Sequence, residues 1–167
     1  DASLDGTLAL DAERYDVDMN VNGLDLSAIM PSLGVGRLTG SVKAKGAGFN
    51  PTAKGADTSV DADMRTLVYG GNDLAPLTLV ARLSDGSFDV DLHGSNPRLD
   101  LSMLANGTLR GNVLDIDATA DIRHADLQAL GFMDVPCRGA ARFDLNGSVN
   151  LDTYFCDLDA GLHDLDW

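Results

Sequence analysis

The chain has 167 residues, enough for one sizeable domain and marginal for two. Acidic residues outnumber basic ones 26 to 12, a formal net charge of -14, so nucleic acid is excluded as a partner and charge-driven docking on an anionic membrane with it. Only Glu13 among those acids is a glutamate; together with 18 glycines, this aspartate bias argues against a helical protein.

Taken in chain order, apolar and polar residues alternate strictly at about 14–22, 38–47, 56–68, 76–84, 86–94, 97–105, 113–123, 139–146 and 149–162. Such a period of two predicts strands with one dry and one wet face. Turn signals fall between the runs: "GGN" at Gly70, "SDG" at Ser84, "SNP" at Ser95, "NG" at Asn106 and "NGS" at Asn146. Short connections join antiparallel neighbours, so the expected fold is all-β, a long antiparallel meander.

Two stretches break the alternation. "LDLSAIMPSLG" spaces Leu24, Leu26, Ile29, Met30 and Leu33 at a helical interval and predicts a short helix over about 24–33, closed by Gly34. "HADLQALGFM" does the same over about 125–131. The segments around them align at an offset of about a hundred residues, Asp25 with Asp126, Gly40 with Gly139 and Lys43 with Arg142. Internal repeats over about 15–105 and 114–167 are expected from this, within one 1–167 segment of a larger repeat protein.

Cys137 and Cys156 are too few for a disulfide framework. A hairpin at Asn146–Ser148 would set them on opposite faces, so free thiols are expected. No apolar run approaches the roughly 18 residues needed to span a bilayer. The alternating pattern reaches close to both ends, as in an excised piece of a longer chain.

Candidate chemistry is thin. Asp16, Asp18 and Asn20 have the spacing of a calcium loop's first ligands, but Val21 stands where that loop needs glycine. Pairs such as Asp89/Asp91 and Asp115/Asp117 lack the burial that would separate two carboxyl pKa values for glycosidase work. His93, His124 and His163 are scattered, and "GVGRLTG" lacks the Lys-Ser/Thr of a phosphate loop. "NGT" at Asn106 and "NGS" at Asn146 match glycosylation acceptors, yet Asn-Gly is also a hairpin turn, the preferred reading. No catalytic residue, metal or cofactor is expected, and the aspartates read as the wet side.

The dry side carries Val17, Met19, Val42, Val60, Met64, Leu77, Leu79, Phe88, Val90, Leu92, Leu101, Met103, Leu114, Ile116, Phe143 and Leu145. A meander dry on one face can close into a barrel, stack as a sandwich or curl into an open trough. Composition does not choose among them.

The wording of the chain resembles repeats of the AsmA-like/TamB superfamily, in the form seen in Bacteroidetes-type TamB proteins. The shared features are the "LDL" opening, a G-x-[LV]-x-[AG]-x-G-x-G-F-[ND]-P strand at Gly40–Pro51, and "xLDADxxxLxYG" at Val60–Gly71. An L-x-x-L-x-L-x-A-x-L-x-D-G run at Leu74–Gly86 and a looser return from Asn106 to Leu130 follow. That resemblance implies a β-taco, a U-shaped sheet with an apolar interior. It also implies a periplasmic segment of an inner-membrane-anchored protein of a Gram-negative bacterium, working with an Omp85-family outer-membrane protein through parts outside this chain. Its cargo would be phospholipid acyl chains, carried between the membranes in a groove lined by the sixteen dry-face residues, and it brings no catalytic residues. The alternatives are a scaffold for outer-membrane protein assembly and, more weakly, a closed surface adhesin or carbohydrate-binding sandwich.

Overall fold

The computed structural model of the chain describes residues 3–11, 14–28, 34–48, 50, 52–131, 133–150, 152–153 and 155–166. Eleven strands form one sheet: β1 Ser3–Asp11, β2 Arg14–Asp25, β3 Val35–Ala47, β4 Asp57–Tyr69, β5 Asn72–Asp73, β6 Leu77–Ser84, β7 Ser87–Asn96, β8 Leu99–Arg110, β9 Val113–Asp126, β10 Arg138–Asn150 and β11 Phe155–Asp166. Ten of them pair in sequence order and antiparallel throughout, while the two-residue β5 only extends β4. The all-β meander is therefore as expected. β1 was not among the expected strands, although Leu4, Leu8 and Leu10 alternate there.

The sheet is open and does not curl into the expected U. Its outermost strands, β1 and β11, lie at opposite ends of the strand order and, among the described residues, pair only with β2 and β10. The exposed surface is 10560 Å². A folded monomer of 17.6 kDa exposes about 7,900 Å². A single layer explains the excess, because only lateral neighbours cover each side chain. Among the described residues the buried apolar positions are Val21, Ala56, Ala75, Ala105, Ala125 and Leu130, and no large side chain is fully enclosed.

Neither expected helix is seen among the described residues. After β2 a single 3-10 turn spans Leu26–Ala28; Ile29 to Leu33, the remainder of that expectation, lie outside the described residues. In the second case β9 runs on to Asp126 and one turn follows, closed by the Leu130 N–H donating to the Asp126 carbonyl. Just before each of these turns the strand is bulged at one rim. Val21 pairs Gly40 and Leu24 pairs Leu38, so β2 spends three residues where β3 spends two. Likewise Ile122 pairs Leu101 while Ala125 pairs Leu99. Each extra residue restores Leu24 or Ala125 to the dry face. Asp25 and Asp126 then hold the same place: each ends a bulged strand and accepts a backbone N–H in the turn beyond, from Ser27 at 3.0 Å and from Ala129 at 2.9 Å.

Two expected turns lie inside strands. Asn106-Gly107 falls within β8, whose turn comes at Gly111-Asn112, and Asn146-Gly147 falls within β10. The hairpin after β10 therefore lies beyond Asn150 rather than at Asn146–Ser148. Phe143, Leu145 and Val149 share a face by ordinary alternation along one strand. Cys137 precedes β10, whereas Cys156 pairs with Val149 near its far end. About 37 Å of strand separates the two backbones, which rules out an internal disulfide. The turn at Ser84–Ser87 is as expected: Asp85 and Gly86 take φ of 47° and 79°, a two-residue hairpin of the primed type.

Candidate functional site

Cross-strand partners share a face, so the register sorts every strand residue into rows running across the sheet. All sixteen dry-face residues fall on one side. The central row reads Val17, Ala44, Val60, Ala81, Val90, Ala105, Ala118, Leu145. Beside it runs Met19, Val42, Ala62, Leu79, Leu92, Met103, Ala120, Phe143. On its other flank are Tyr15, Leu83, Phe88 and Ile116, spaced by Gly46, Thr58, Gly107 and Gly147. Met64, Leu77 and Leu101 lie in a fourth row, beyond Met19's, and Leu114 in an outermost one, beyond Phe88's, where it pairs Leu109 and Val149.

The central row is low. From Val17 to Ala118 it holds only alanine and valine, and larger side chains rise on both flanks. The face thus carries a shallow lane perpendicular to the strands, with Ala105 on its floor at 8% exposure. Across the eight strands from β2 to β10 it runs about 34 Å at ordinary strand spacing. Phe143 on one bank is 41% exposed, and Leu162, which pairs with it from β11, is 52% exposed. The alanines and glycines of these rows were not counted among the candidate residues, although parity alone would have found them.

Glycines let large side chains lie flat on this face. A Cβ placed on Gly46 would collide with the Tyr15 phenol, whose hydroxyl hydrogen-bonds Thr58. One on Gly94 would stand 2.8 Å from Leu77 Cδ2.

The opposite face is the aspartate face, and its charges are tied across strands. Lys45 Nζ meets Asp16 at 2.9 Å and Lys43 Nζ meets Asp18 at 3.6 Å, so two of the three residues with calcium-loop spacing are engaged by lysines. Hydrogen bonding to Asp16 raises the Lys45 pKa. Arg123 does the converse to Asp100, holding its carboxyl below the usual range. Asn146 donates to Asp117 at 3.0 Å and Thr119 to Asp144 at 2.9 Å. A cleft of about 490 Å³ opens on this side between Asn106, Thr108, Asp115, Asp117, Asn146 and Asp159. Among the described residues no group of three or more His, Cys, Asp or Glu side chains is arranged to hold a metal. Nor, among those residues, is any helix long and apolar enough to cross a membrane.

Leu104, 56% exposed, is an apolar side chain on the aspartate face, where it pairs with Asp91, as Val80 does from the other side. No family model matches the chain, and neither a curated protein nor a solved structure does.

Proposed function

We propose that this chain is a lipid-facing panel of a TamB/AsmA-like periplasmic protein, carrying phospholipid acyl chains along its apolar face rather than catalysing a reaction. The observation that carries this reading is a single apolar face, continuous from β2 to β10, over which the described residues place no second layer. Covering such a face with hydrocarbon gains about 25 cal/mol per Å² removed from water. A lane floored by alanine and valine, with no charged group among its residues, holds an acyl chain by contact alone and lets it slide. The open form makes this a shallow track rather than a closed trough. The sixteen dry-face residues are its lining, and the aspartates keep the outer side wet. Native mass spectrometry of the chain purified from a Gram-negative envelope tests the reading. Phospholipid adducts that disappear in Val90→Asp support it; a lipid-free spectrum under conditions that retain weak adducts refutes it.

A second reading is a scaffold for outer-membrane proteins working with an Omp85-family partner. What favours it is that β1 and β11 are paired on one side only, which offers strand edges for β-augmentation. Crosslinks from β11 to unfolded barrel polypeptides, with none to lipid from Val90, would decide for it.

A further inference from the structure

We propose that, when no lipid is present, two copies of this chain close over each other face to face through the apolar rows, forming a two-layer sandwich. The inference rests on the openness of that face and not on lipid as its occupant. Two features make a second copy fit. The first is area: eight strands from β2 to β10 and four rows of side chains span roughly 1,000 Å² of each copy. A stable interface needs about 800 Å² per partner.

The second is relief. The high row of Leu79, Leu92 and Met103 lies beside the low row of Ala81, Val90 and Ala105. A two-fold axis running across the strands between these rows sets each copy's high row over the other's low row, so the same patch serves both sides. Strand then stacks on its own copy, at the ordinary ~10 Å separation of packed sheets. Charge does not oppose this closure. The chain's net charge of -14 is carried mainly by aspartates on the opposite face, which such a pair turns outward.

The test is light scattering on delipidated, detergent-free protein over a concentration series. The expected mass at the upper end is twice 17.6 kDa. Leu92→Asp and Leu79→Asp should each halve it with the strand circular-dichroism signal retained, while Leu104→Asp on the other face leaves the dimer intact. Should the aspartate variants unfold, a Cys137→Ser/Cys156→Ser background settles the matter. There Val90→Cys protein mixed with Leu92→Cys protein should oxidise to the mixed disulfide more than either does alone. A monomer at every concentration overturns the proposal. So does a dimer that survives Leu92→Asp but falls apart with Ala160→Pro in β11, which would be edge pairing. The two readings of the face separate cleanly: a lipid-free dimer from a chain that never carries lipid refutes the cargo alone, and lipid adducts on a chain that stays monomeric when stripped refute the pairing alone.

Discussion

Phe88 lies across the bare backbone of Gly107 on the neighbouring strand: a Cβ built on Gly107 would stand 2.6 Å from the ring's Cζ. The two residues pair in register, and the glycine is what lets the ring lie flat instead of standing up from the sheet. Tyr15 and Gly46 repeat the arrangement on β2 and β3.

Gly107→Val should therefore cost roughly 1–3 kcal/mol, since the new side chain meets both Phe88 and the Asp115 carbonyl. Urea midpoints measure it. Part of the penalty should vanish when Phe88 is already alanine, because one of the two clashes is then gone. A penalty unchanged in the Phe88→Ala background would assign all of it to the backbone.

The hairpin between β6 and β7 depends on Asp85, a non-glycine residue at φ 47°. Its Oδ1 accepts the Gly55 N–H at 2.6 Å, and its own N–H donates to the Ala56 carbonyl at 2.9 Å. Asp85→Ala loses the side-chain bond and fits the left-handed conformation less well, a loss of about 1–2 kcal/mol by thermal melting. Asp85→Asn tolerates that conformation and should lose less than half as much.

Acid sensitivity separates two opposing effects. The Ala129 N–H and then Arg138 hold the Asp126 carboxyl below its ordinary value near 3.8, and the Ser27 hydroxyl and backbone N–H do the same for Asp25. A carboxylate depressed in the folded state contributes stability that is complete above its unfolded pKa and is lost as pH falls through the folded one. Protonating the many other aspartates relieves repulsion in the same range and works the other way. Subtracting the Asp126→Asn melting curve from the wild type isolates the first effect. The difference should be flat from neutral pH to about 4 and shrink below it. A difference that grows on acidification contradicts the assignment.

How much of this was legible depends on the residue. Period two was plain in "GSFDVDLHG", and register then places Phe88, Val90 and Leu92 on the same side as Met103, Ile116 and Leu145. The bulges were not legible, because an apolar interval of three, as from Val21 to Leu24 or Ile122 to Ala125, breaks the period of two without showing which strand carries the extra residue. Only pairing with the next strand reveals the extra residue. Asn106-Gly107 and Asn146-Gly147 misled because they carry turn wording, yet both glycines pair Ile116 on the apolar face inside strands, and Gly107 lies beneath Phe88. Openness was beyond composition altogether. A barrel, a sandwich and a single layer share one alternating pattern and differ in whether the last strand meets the first or the sheet folds back on itself.

The most direct measurement uses two adjacent residues on opposite faces. Val90 pairs with Ala105 on the floor of the lane, and Asp91 pairs with Leu104 on the aspartate side. A photoreactive amino acid placed at either position, irradiated in cells, reports what each face touches. Phospholipid adducts at position 90 with none above background at position 91 are the predicted result. Equal labelling at both positions, or lipid at 91 alone, would contradict a cargo surface built from the apolar rows.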